Sequence, residues 1–183
     1  MSTTIQTREA LPTGTWALDP AHSHVEFGVD YMVGTFHGSF LPFDAQLEVG
    51  DDGEARLTGS ARVDAVRVGD ENLTTHLLAP DFFDAERAPE ISFASTAIRR
   101  SGDEVAVEGE LTIKGRTQPV ELNGTVNGPL SDPYGNERIG LKLATTIDRT
   151  SFGIDWNTPL PSGEQALADD VSVEADLYFV RAA

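Results

Sequence analysis

The chain of 183 residues predicts an all-β fold, a closed antiparallel barrel of about eight strands with one short helix covering an end. Three observations predict it. Apolar and polar residues alternate with period two along most of the chain, short polar links separate the alternating runs, and one stretch departs to helical spacing. An all-β chain of this length normally forms one core, so a single domain is expected.

The opening segment, MSTTIQTREALPTGTW, has neither a basic n-region nor a long apolar stretch, and so does not read as a signal peptide. Residues 1–13 are expected to form a flexible leader and residues 14–183 the barrel domain. The cytoplasm is the default location unless a leader has been cut away. The first alternating run puts Val25, Phe27, Val29 and Tyr31 on one face, opposed by Glu26, Gly28 and Asp30. Leu57, Gly59, Ala61 and Val63 make a second run, and Ile91, Phe93, Ser95 and Ala97 a third. In EVAVEGELTIKG the inward set is Val105, Val107, Gly109, Leu111 and Ile113; in PVELNGTV it is Val120, Leu122, Gly124 and Val126. Ile139, Leu141, Leu143, Thr145 and Ile147 follow, then Val171, Val173, Ala175, Leu177 and Phe179.

The links at 50–54, 100–104 and 131–137 are rich in Gly, Asp, Asn and Pro, and links this short imply antiparallel neighbours. Helical spacing occurs in GDENLTTHLLAPDFF, where Asp70 caps the start, Pro80 stops propagation, and Leu73, His76 and Leu77 share a face. Closing the sheet removes its exposed edges, which favours a barrel over two open layers. The adjacent Phe82 and Phe83 then sit at the helix exit, one turned into the barrel mouth and the other under the helix.

A barrel of this size either fills its interior with its own side chains or holds one small ligand. Gly59, Ala61, Ser95, Gly109, Gly124 and Ala175 are small residues on apolar faces; at similar heights they leave a lengthwise apolar cavity. Alternatively, the glycines mark bends or bulges and neighbouring Phe and Leu fill the gaps. Spacing alone leaves both open. The stretch 151–170, with Phe152, Trp156, Leu160 and Leu167, is either a lid or a loop pinned to the exterior.

A net charge of −17 and a pI near 4.4 oppose binding to nucleic acid or to anionic membranes. No run of about 18 apolar residues is present, so stable membrane insertion is not expected. The absence of Cys excludes disulfides, thiolate metal sites and cysteine nucleophiles. Of the histidines, His22 reads as a turn residue, His24 as exposed, His37 as a half-exposed strand residue, and His76 as a satisfied core histidine on the helix face. No metal-ligand spacing, nucleophile elbow, phosphate-binding loop or dinucleotide fingerprint occurs, so neither catalytic residues, metal nor cofactor are expected.

The segments WALDPAHSHVEF, HLLAPDFFDAERAPEISFAST, VEGELTIKGRTQPVEL and DRTSFGIDWN resemble the YceI-like family of polyisoprenoid-binding proteins, across about Thr15 to Arg181. The resemblance implies an eight-stranded lipocalin-like barrel holding a long isoprenoid or similar lipid in an apolar pore, without catalytic residues. It favours the hollow interior. Asp19, His22 and Ser23 match the family's D-x-x-H-S turn, and are read as turn stabilisers. His76 matches its helix histidine, a polar partner near the ligand's head, and Phe82 and Phe83 its double phenylalanine. Many members carry an export signal, which this segment does not resemble. Asp148 stands where the family often has Asn, and Ser151 where an acidic residue is more usual, both near the suspected lid.

The expected ligand-binding residues are therefore Phe27, Val29, His76, Phe82, Phe83, Phe93, Val107, Leu111, Leu122, Leu141, Leu143, Phe152 and Trp156. The expected partner is a hydrophobic small molecule such as a polyisoprenoid, a quinone or another lipid; a homodimer is compatible with the sequence, which specifies no interface. The alternatives are a catalytic barrel acting on a hydrophobic substrate through His76 or His22, and a scaffold or stress protein that requires no ligand.

Overall fold

A computed structural model describes residues 9–183, and the first eight residues of the expected leader lie outside the described residues. The described residues form eleven strands: β1 (Gly14–Leu18), β2 (His24–Tyr31), β3 (Gly34–Phe40), β4 (Asp44–Val49), β5 (Ala55–Arg62), β6 (Val66–Arg67), β7 (Glu90–Ser101), β8 (Glu104–Ile113), β9 (Arg116–Ser131), β10 (Glu137–Asp148) and β11 (Leu167–Arg181). Among the described residues one α-helix, α1 (Glu71–Leu78), lies between β6 and β7.

Eight of the strands form a closed antiparallel ring in the order β1-β4-β5-β7-β8-β9-β10-β11, and β11 returns to β1 through pairs such as Trp16–Arg181 and Leu18–Phe179. Closure leaves these strands no free outer edge at that end. The long β11 presents its other edge to β1 near its C-terminus and to β2 further back, from Asp176–His24 to Leu167–Tyr31. β3 pairs with β2, and β6 with β3. β1 and β4, not recognised as strands in the sequence, complete the ring.

Turn chemistry sets the hairpins as expected. Lys114 and Gly115 both have positive φ between Ile113 and Arg116, the condition for a two-residue turn whose twist matches the strands. In the β9–β10 link, Asp132 accepts hydrogen bonds from the backbone N–H groups of Tyr134 and Asn136. A bulge between Ser95 and Ala97 resets the β7 alternation. Ser95 Oγ there accepts the Leu57 N–H at 2.9 Å, and Ile98 rather than Ala97 packs against the core. The inward assignment of Ala97 is corrected accordingly.

One end of the barrel is solid. Trp16, Leu47, Val107, Leu141 and Phe179 are essentially inaccessible and interdigitate there. Leu11 is buried in the same cluster, and the Pro12 carbonyl accepts the Trp16 Nε1–H at 3.0 Å. Residues 9–13 are thus docked rather than loose, because burial of Leu11 outweighs the entropy of a free segment. At this end Arg138 bridges Asp19 and Asp132, each at 2.8 Å, and His22 Nδ1 lies 2.8 Å from Asp19. Asp19 and His22 hold the turn into β2, while the Ser23 hydroxyl accepts the Tyr178 N–H at 2.9 Å.

Candidate functional site: an apolar pocket

The other half of the barrel is hollow, enclosing a cavity of about 430 Å³. Its walls follow directly from strand alternation: Val25, Phe27, Val29 and Tyr31 of β2 face it, as do Val171, Val173 and Ala175 of β11. Leu57, Leu143 and Leu177 face its lower part, and all three belong to the solid core cluster or border it. The cavity therefore does not run the full length of the barrel.

The small residues contribute unequally. Gly59, Ala61 and Ala175 border the cavity, and a Cβ at Gly59 would meet nothing nearer than the Asp44 carbonyl at 3.5 Å. Gly109 lies under the Phe93 ring, where an added Cβ would come within 2.5 Å of that ring and 2.6 Å of the Ala94 carbonyl. An added Cβ at Gly124 would collide with the Lys142 carbonyl. Ser95 is occupied at the bulge. The expectation that these three open the cavity is thus corrected: they allow close packing.

α1 closes the hollow end as the sequence indicates. Asp70 accepts the Leu73 N–H at 2.9 Å as N-cap, and Leu73, His76 and Leu77 all border the cavity. After Pro80 the chain coils tightly, with the N–H groups of Phe82 and Asp84 both donating to the Ala79 carbonyl and that of Phe83 to Leu77. Asp84 takes a left-handed φ of 53°. This reversal turns both phenylalanine rings onto the cavity in different directions. Phe82 contacts His76 edge-on at 4.8 Å and Trp156 at 5.4 Å; Phe83 meets Phe40 edge-on at 5.9 Å. Both rings line the pocket, and both also pack against the cluster of Phe40, Val66 and the helix residue Leu77.

The segment between β10 and β11 is both pinned and pocket-lining. Its anchor is Arg149, only 5% exposed. The guanidinium donates to the carbonyls of Ala168 (2.7 Å), Ile154 (2.8 Å), Trp156 (2.9 Å) and Leu167 (3.3 Å), and to Asp169 Oδ1 (3.4 Å). A planar donor fork suits such convergent acceptors, and a buried cation needs them. Asp148 accepts the N–H and hydroxyl of Thr150, and these bonds hold its carboxyl below the ordinary carboxylate range. Phe152, Trp156 and Leu167 line the cavity, whereas Leu160 sits in a turn with Glu164 away from it.

Eleven of the thirteen residues expected at a ligand site border this cavity: Phe27, Val29 and Phe93; Leu111, Leu122 and Leu143; Phe152 and Trp156; and His76, Phe82 and Phe83. Val107 and Leu141 do not. They alternate inward as expected but lie in the solid end, because alternation gives the face of a residue and not its height. Tyr31, Phe36, Phe40 and Ile154 also line the pocket without having been assigned to it. Only the alternation of β3 signalled Phe36 and Phe40.

Polar chemistry inside is sparse. The Arg149 donors are engaged, and His76 Nε2 lies 3.8 Å from Asp81 Oδ2 while its ring contacts Phe82 and Trp156. Among the described residues, no group of three His, Cys, Asp or Glu side chains is gathered to hold a metal ion. No helix among them is long and apolar enough to cross a membrane. The β9–β10 ladder ends at Asn123–Ala144, and beyond it a second cleft, of about 350 Å³, shares Val120, Thr145, Ile147 and Phe152 with the main pocket.

A closed antiparallel barrel with one solid end, one apolar pocket, and a helix and pinned loop over that pocket defines a lipocalin-like protein. The chain belongs to the YceI-like family, whose domain model matches residues 16–179. A UPF0312 protein of Pseudomonas putida (strain W619) is 31% identical over 157 residues, covering 84% of this chain and 80% of its own. A UPF0312 protein of Staphylococcus aureus (strain USA300) is 32% identical over 171 residues, covering 90% and 96%. Among solved structures, Burkholderia cenocepacia BcnA superposes with a TM-score of 0.74 at 26% identity, covering 88% of this chain and 98% of that one. A polyisoprenoid binding domain from Saccharophagus degradans, implicated in plant cell wall breakdown, has a TM-score of 0.66 at 14% identity, with coverage of 91% and 98%. That likeness concerns the fold.

Proposed function

We propose that this protein binds a long hydrophobic molecule, a polyisoprenoid, quinone or similar lipid, in the hollow half of the barrel, and sequesters or carries it without chemical change. The observation that carries the reading is the size and lining of the cavity. Water inside a cavity of about 430 Å³ lined almost wholly by apolar side chains finds few hydrogen-bond partners, so its displacement by hydrocarbon is favourable. An inserted hydrocarbon chain gains about 0.8 kcal/mol per buried CH₂, so elongated ligands benefit most. The aromatic lining from Phe27, Phe36, Phe82, Phe83, Phe93 and Trp156 suits flat unsaturated units. The name of the Saccharophagus degradans domain, which shares the barrel, points to the same ligand class.

No catalytic step is assigned. His76, the titratable side chain best placed at the pocket, touches two aromatic rings and lies beyond hydrogen-bonding distance of Asp81. Organic extraction and mass spectrometry of protein purified from its own host test the proposal. A stoichiometric prenyl or quinone species is expected. Protein that arrives empty, and that after delipidation takes up no prenyl chain from an ethanol stock, refutes it.

A further inference from the structure

The hairpin joining β2 to β3 has two central residues, Met32 and Val33, between the paired Tyr31 and Gly34. Its composition runs against turn chemistry. Met32 sits at φ 50°, in a first turn position ordinarily taken by Gly, Asn or Asp, and the β-branched Val33 follows it. Both are apolar and project into solvent: Met32 is 56% exposed and Val33 completely so. Where a sequence departs from its local rules without a structural return, a functional reason is the first place to look.

The position of this tip supplies that reason. Tyr31 belongs to the tip and also lines the pocket, and the Met32 N–H donates to the Ala166 carbonyl at 2.8 Å, next to the pocket residue Leu167. The exposed apolar pair is therefore continuous with the hollow end of the barrel. A ligand that is nearly insoluble in water must be collected from, and returned to, a lipid phase. The charges nearby select which phase. No Lys or Arg occurs between Arg8 and Arg56, or between Arg149 and Arg181, so β2, β3 and residues 150–166 carry no such cation, and Arg149 at the start of that loop is buried. Asp30 and Glu164 are exposed in these same elements, and Asp170 is exposed at the start of β11. An anionic bilayer is repelled by such a face, and a second copy of this acidic chain is repelled as well.

We propose that the Tyr31–Gly34 hairpin tip docks the pocket mouth on a lipid surface without net negative charge, Met32 and Val33 entering its interface. This rests on the lipid-binding reading above. Docking through two side chains is weak and reversible, as a carrier requires. The test uses the full chain and the double variant Met32→Gly with Val33→Ser. Glycine suits the positive φ, and serine is at home in an exposed turn, so the thermal midpoint is expected to hold or rise.

In flotation with phosphatidylcholine vesicles, the parent protein is expected to rise with the lipid and the variant to bind at least about tenfold less. Equal parts of phosphatidylglycerol should weaken parent binding, most strongly at low salt. Transfer of a fluorescent prenyl chain out of vesicles should slow in the variant, while its uptake from ethanol stays unchanged. Equal vesicle binding by the two proteins, preference for the anionic vesicles, or self-association through the tip detected by sedimentation would each overturn the proposal. If ethanol-delivered ligand binds but no vesicle does, the docking tip fails and the pocket stands. If ethanol-delivered ligand does not bind either, both fail.

Discussion

Replacing Gly59 by Leu tests the hollow barrel most directly, because the structure predicts opposite effects on stability and on binding. The ideal Cβ at this position meets only the Asp44 carbonyl at 3.5 Å, so the new side chain extends into the cavity without forcing its neighbours apart. Burying it contributes about 1.5–3 kcal/mol, and replacing Gly within a strand adds about 0.5–1, less about 0.5–1 for lost rotamer freedom. A net gain of about 1.5–3 kcal/mol corresponds to a thermal midpoint roughly 4–10 °C higher for a chain of this size. The same side chain displaces about four CH₂ equivalents of ligand, about 3 kcal/mol, which weakens binding about 200-fold.

Differential scanning calorimetry reads the first quantity and displacement of a fluorescent lipid probe the second. Gly109→Leu is the internal control: its Cβ runs into the Phe93 ring and the Ala94 carbonyl, so destabilisation by about 1–3 kcal/mol is expected. If Gly59→Leu is destabilising, or binds the probe as the parent does, the cavity does not have the shape described.

Arg149→Met removes a donor from four backbone carbonyls, of which that of Leu167 keeps the Asn157 side-chain amide, and is expected to cost about 3–5 kcal/mol in urea unfolding and to deprotect the amides of residues 153–167 in hydrogen exchange. An effect confined to global stability, with that loop still protected, would refute its role as the loop's anchor. Hydrogen bonds from Arg138, then from Asn136 and Tyr134, hold the Asp132 carboxyl well below its ordinary value of 3.8. A folded-state pKa below the unfolded one gives stabilisation that is present above about pH 4 and lost as pH falls below it, so Asp132→Asn should flatten the acid limb of the stability profile. Denaturant titrations between about pH 2 and pH 6 check the slope. Asp70→Ala removes the N-cap bond to Leu73 and should cost about 1 kcal/mol, with prenyl binding weakened through a frayed α1; unchanged binding would detach the helix from the pocket.

How much was legible in the residues depends on the range of the interaction concerned. Alternation in Val25–Tyr31, Ile139–Ile147 and Val171–Phe179 announces which side chains turn inward, because a pleated strand imposes it locally. The Asp70 cap, the Pro80 stop and the Asp132 turn likewise act within a few residues of themselves, and the structure contains all three. β1 and β4 escaped notice because they are short and their pairing partner, Trp16 opposite Leu47, is distant in the chain.

Whether the barrel is hollow was not legible from spacing. Gly59 and Gly109 look alike on the page; one faces empty space and the other lies beneath Phe93, a distinction set by register across strands. Val107 and Leu111 both point inward, yet one is in the plug and the other at the pocket, because they stand at different heights along the barrel axis. Nothing in the residues beside Arg149 announces its burial, which arises when the chain returns to wrap four carbonyls around it. Local geometry is written in neighbouring residues. Volume and burial arise when strands far apart in the chain are brought side by side.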